Sequence, residues 1–138
     1  MRAAGFVLAA LGSWLLPAFV TAADPDAPAV VALALVLLWI AAAYQFFDGL
    51  NIGCGFCLRG AGDTRFPAIA LLLLAWGVFV PLTHGLAFAP GEGWIASAPG
   101  AGLGAVGGWI AAVVYVGLLG TTLAWRGRSR RWQAMSLG

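Results

Sequence analysis

One carboxylate lies inside an apolar run: Asp48, in Tyr44-Gln45-Phe46-Phe47-Asp48-Gly49-Leu50-Asn51. An ionised side chain in hydrocarbon costs on the order of a few kcal/mol even on the mildest insertion scale. It therefore faces protein or a water-filled cavity, and by default it marks an ion or proton pathway. On a helix, Gln45, Asp48 and Asn51 recur at i, i+3 and i+6 and share one stripe, offering a cation one carboxylate and two amide oxygens. These three residues are the candidate cation-coupling set. Asp48 could coordinate sodium, or carry a proton if desolvation raises its affinity for one. The plainer reading is a carboxylate that hydrogen-bonds a neighbouring helix and fixes its packing.

Other residue types narrow the chemistry. There is no lysine, which removes the P-loop, the Schiff base and the lysine general base together. One histidine and two cysteines make a tetrahedral nitrogen and sulfur metal site hard to assemble. Catalysis is a poor first reading, and no cofactor is called for beyond a coupling ion. Cys54-Gly55-Phe56-Cys57 has the spacing of a redox dithiol, but it falls in an apolar span without a soluble βαβ context, so helix packing explains it better. His84 reads as an interfacial or packed histidine, with proton relay the minority alternative. Gly60-Ala61-Gly62-Asp63 lacks a following lysine and joins two apolar segments, so a tight turn is the natural account.

The elements that must position Asp48 are set by composition. Of 138 residues, 62% are hydrophobic and only 9% charged, at a mean hydropathy of +0.96, so no water-facing surface can be built. A helix needs about 20 apolar residues to cross ~30 Å of hydrocarbon. The sequence predicts an all-α membrane protein with a single helical region and four spans at residues 3–22, 29–58, 66–88 and 103–125. A basic tail follows at 126–138. At 1.5 Å per residue Asp48 lies about 15 Å from Arg59, near mid-membrane.

Arginines fix the expected orientation, because basic residues near span ends stay preferentially in the cytoplasm. Arg2 precedes span one, Arg59 and Arg65 flank the turn after span two, and Arg126, Arg128, Arg130 and Arg131 follow span four. Asp24, Asp26 and Glu92 fall on the opposite loops. Both termini are expected in the cytoplasm, in a multi-pass protein of the plasma (inner) membrane. Residues 3–22 also admit a signal-peptide reading, with Val20-Thr21-Ala22 as its cleavage end. Arg126 to Trp132 is expected against anionic lipid. Seven arginines, four of them in the tail, do not form a nucleic-acid footprint.

The string Gln45-Phe46-Phe47-Asp48-Gly49-Leu50-Asn51, followed by Leu58-Arg59-Gly60-Ala61-Gly62-Asp63-Thr64-Arg65-Phe66-Pro67, closely resembles the tenth helix and following cytoplasmic loop of the multidrug and toxic compound extrusion (MATE) family. Asp24-Pro25-Asp26, Pro81-Leu82, Gly107-Gly108-Trp109 and Arg131-Trp132 resemble other family features in the same order. The resemblance implies a twelve-helix, two-lobed antiporter to which this chain supplies helices nine to twelve, the preceding helices being absent. It implies that Asp48 is the cation-binding aspartate, that Arg59, Gly60, Gly62 and Asp63 belong to the loop motif, and that the full-length transporter exports cationic or amphipathic drug-like compounds. The family often has glutamine where Asn51 stands. A gene fragment is the expected status of the chain.

Two other classes compete. A small four-helix dimeric exporter matches the length, although such exporters usually carry their key carboxylate in the first helix and Asp48 is in the second. A non-transporting packing or assembly subunit predicts that Asp48→Asn is silent. The exported compound, and the choice of sodium or proton, are not legible in these residues.

Overall fold

The computed structural model describes residues 2–20, 25–95 and 97–129. Asp24, the Thr21-Ala22 end of the first segment and the tail residues Arg130, Arg131 and Trp132 lie outside the described residues. All regular structure among the described residues is helical: α1 (Arg2–Leu15), α2 (Ala27–Gly60), α3 (Arg65–Ala87) and α4 (Gly104–Arg128). The chain is an all-α membrane protein, and α2, α3 and α4 are each long and apolar enough to cross a bilayer. The first helix is shorter. Pro17 sits in a single 3₁₀ turn, Leu16–Ala18, that closes it, consistent with the missing proline N–H ending an α-helical ladder.

Proline placement explains the other irregularities. Pro28 occupies the first turn of α2, where its missing donor has no intrahelical partner to lose. Pro81 lies well inside α3, and just before it the helix widens into a π-turn at Ala75–Phe79, where the Val80 N–H donates to the Ala75 carbonyl. The wider turn relieves the clash of the proline ring with the preceding carbonyl.

Small residues bring the helices together. A Cβ added at Gly120 of α4 would lie 3.2 Å from the Phe47 carbonyl oxygen and 3.4 Å from the Asn51 nitrogen of α2. A Cβ at Gly117 would lie 3.7 Å from the Phe47 ring. Gly12 of α1 admits Leu35 and Leu38, and Gly5 meets Ala42 and Gln45. At the arginine-bearing end, Leu58, Ala70, Leu119 and Leu123 form a buried cluster shared by α2, α3 and α4. At the opposite end, the N–H groups of Ala101, Gly102 and Leu103 donate to the carbonyls of Gly85, Phe88 and Leu86 at 2.8–2.9 Å. The loop before α4 thereby satisfies the carbonyls that the end of α3 leaves open. His84 Nε2, near the end of α3, accepts the Ile95 N–H at 3.2 Å and so ties that helix to the following loop.

Candidate functional site

The polar stripe of α2 is built by helix periodicity and bounded by two neighbours. At about 100° per residue, Gln45, Asp48 and Asn51 fan across roughly a third of the helix circumference. The Gln45 edge borders α1, since a Cβ added at Gly5 would lie 3.6 Å from the Gln45 Cβ. The Asn51 edge borders α4 at Gly120. Asp48 lies between these edges, half-buried, on the side of α2 that opens between α1 and α4. Gln45 is exposed and Asn51 half-buried. Among the described residues no hydrogen bond or ion pair engages the Asp48 carboxylate, and no group of three His, Cys, Asp or Glu side chains gathers anywhere.

One turn from Asp48 on the same side of α2, Tyr44 meets Trp109 of α4 edge to face, with ring centroids 5.9 Å apart. Both line an open groove of about 450 Å³ together with Phe79, Thr83, Ala105 and Gly108. Phe79, from the π-turn of α3, also stacks at a tilt on Tyr115, at 5.4 Å. The Thr83 Oγ1 is fully buried and has no hydrogen-bond partner among the described residues. This arrangement offers aromatic faces, one unmet hydroxyl and a carboxylate a turn away. Such a surface suits flat apolar molecules and cations. The sequence names Tyr44 and Trp109 only within motif strings and gives no sign of Phe79 or Thr83, because only the fold brings three helices together there.

The turn motif is explained atom by atom. Gly62 adopts φ +87°, a left-handed conformation that glycine takes without a Cβ penalty. Around it the Gly62 N–H donates to the Arg59 carbonyl (3.0 Å) and the Asp63 N–H to the Leu58 carbonyl (2.9 Å). These two bonds are the Schellman closure of a helix C-terminus. Gly60 has open space where a Cβ would go, and exposed Arg59 lies over the Phe56 ring at 5.4 Å. Asp63, only 3% exposed, is the one buried charged residue among those described. Its Oδ1 accepts the Phe66 N–H at 3.3 Å, in the first turn of α3, and its Oδ2 accepts Arg126 Nε at 2.8 Å. Arg126 thus turns inward to Asp63, while Arg128 is exposed.

No family model and no solved structure matches the chain. Curated proteins do. The chain is 34% identical over 127 residues, 91% of its length, to the probable multidrug resistance protein NorM of Burkholderia pseudomallei. It is 38% identical over 104 residues to the multidrug resistance protein NorM of Burkholderia vietnamiensis, covering 75% of this chain. With the probable NorM of Xylella fastidiosa it shares 43% over 70 residues, 51% of this chain. These matches cover 25%, 20% and 15% of the respective relatives, so the chain spans at most a quarter of their length.

Proposed function

The chain belongs to the MATE family of multidrug transporters, and on that premise we propose that it forms the cation-coupling part of a sodium- or proton-driven multidrug efflux antiporter. The observation that carries this reading is Asp48: a carboxylate deep in a 34-residue apolar helix, half-buried and free of any hydrogen-bond or ion-pair partner among the described residues. An unpaired carboxylate at membrane depth is stable only when hydrated, protonated or bound to a cation. Each of these states changes with the ion gradient. Gln45 and Asn51 flank it as neutral oxygen donors, which lets a bound cation cancel the charge without a competing ion pair.

The remaining walls of the site come from helices outside this chain, since its relatives are about four times as long. Occupancy biases the whole assembly: loaded, Asp48 is effectively neutral and tolerates closure of the helices around it, and empty, it favours hydration. The aromatic groove beside Tyr44 and Trp109 supports cationic or amphipathic compounds as the exported class. The arginine-bearing end faces the cytoplasm of the inner membrane.

The test is a chimera in which this chain replaces the matching segment of the Burkholderia vietnamiensis relative, expressed in an efflux-deficient host. Ethidium efflux restored by the chimera supports the proposal. A chimera that inserts normally but leaves efflux at the host background overturns it.

A further inference from the structure

We propose that Asp63 and Arg126 form a clamp that makes the arginine-bearing ends of α2, α3 and α4 move as one body, so that bending of α3 is confined to its π-turn. This does not depend on the transport reading.

The clamp stands at a three-way junction. Through its N–H, Asp63 closes the end of α2 on Leu58; through Oδ1, it accepts the Phe66 N–H in the first turn of α3; through Oδ2, it holds Arg126 of α4. The partners are 63 residues apart in sequence, so the bond ties segments that the turn alone does not connect. Helix dipoles act in the same sense. Asp63 sits at the positive N-terminus of α3 and Arg126 in the last turn of α4, where backbone carbonyls favour a cation. The Arg126 guanidinium also lies 4.9 Å from the Phe66 ring centroid, adding a cation–π contact to the same group.

Burial makes the pair matter. Asp63 is 3% and Arg126 17% exposed, so salt screens the pair poorly, and loss of either partner leaves the other largely buried with its charge uncompensated. Beneath the pair lies the shared cluster of Leu58, Ala70, Leu119 and Leu123. Halfway along α3 the situation reverses. At Ala75–Phe79 the ladder is already widened, Pro81 contributes no N–H, and no residue of the turn is buried. Deformation therefore costs least at the π-turn and most at the clamp.

The experiment uses the full chain in lipid nanodiscs, with Cys54 and Cys57 replaced by serine and spin labels at Thr64→Cys and Arg128→Cys. Both label sites are exposed. The clamp predicts one narrow distance distribution in the parent. Asp63→Asn keeps an oxygen for the Phe66 N–H but removes the ion pair, and Arg126→Gln removes the pair without touching the cap. Each should raise the population of separated distances about tenfold. The double variant should be no worse than the poorer single one, because no uncompensated charge remains. A second label pair, Thr64→Cys with Phe88→Cys, should show a broader distribution than the first in the parent, because it spans the π-turn. Normal distances in Arg126→Gln, or a silent Asp63→Asn beside a disruptive Asp63→Ala, would reduce Asp63 to a helix cap and overturn the clamp. Should Asp63→Asn fail to insert, Arg126→Gln decides alone.

Discussion

A methyl group placed at Gly107 tests the close approach of α4 to the end of α3. A Cβ there would lie 2.5 Å from the Leu86 carbonyl oxygen and 2.6 Å from its carbon. Both atoms are backbone, so no rotamer change relieves the clash, and the Leu86 carbonyl already accepts the Leu103 N–H at 2.9 Å. Restoring ordinary contact requires the segments to separate by roughly 1 Å. Overpacking of this kind costs about 1–3 kcal/mol, while alanine in place of an interior helical glycine returns about 1 kcal/mol. Because both clashing atoms are backbone, the cost falls in the upper part of that range, about 2–3 kcal/mol, and the net expectation for Gly107→Ala is a loss of about 1–2 kcal/mol. The adjacent Gly108 supplies the control, because nothing lies within 4 Å of its Cβ position. Gly108→Ala should gain roughly 0.5–1 kcal/mol from propensity alone. Thermal unfolding in detergent micelles, followed by helical circular dichroism, should order the three proteins as Gly108→Ala, parent, Gly107→Ala, with a few degrees between neighbours. Gly107→Ala melting at or above the parent would refute the close contact and the loop tie built on it.

Gly62→Ala forces a Cβ into the left-handed region and should cost about 1–2 kcal/mol in the same melt, whereas Gly60→Ala, in open helix, should not destabilise. In a cysteine-free background, Ser97→Cys should react with an impermeant maleimide added outside cells and Thr64→Cys should not; the reverse pattern inverts the orientation. Expressed alone in an efflux-deficient host, the chain should leave drug sensitivity unchanged. Asp48-dependent resistance from this chain by itself would favour the small dimeric exporter.

Much of the fold is legible in the sequence because apolar run length decides it. Asp26 and Pro28 mark where α2 begins, and Gly60-Ala61-Gly62-Asp63 marks where it ends, since glycine at the left-handed position and the absence of β-branched residues leave the chain little else to do. Asp48, Gln45 and Asn51 are legible as a stripe because period alone places them. Which neighbours bound that stripe is not, since the packing of Gly5 and Gly120 against α2 depends on tertiary approach. The partner of Asp63 was equally hidden. Counting charge by span end assigns Arg126 to the lipid boundary, and no local rule states that one arginine of the group will turn inward across 63 residues. The π-turn has a sequence cause in Pro81, but its register one turn earlier emerges only with the helix built.

The most direct measurement of the central claim is gradient-driven efflux by the chimera carrying Asp48→Asn. Asparagine keeps the size and hydrogen-bonding capacity of the side chain and removes only the charge that a cation or proton can neutralise. In proteoliposomes with an imposed sodium or proton gradient, the parent chimera should drive ethidium transport with one of the two ions. Asp48→Asn should insert to the same level and lose that gradient dependence entirely. Transport by the Asp48→Asn chimera that still follows the gradient would contradict the account and return Asp48 to a packing role between α1 and α4.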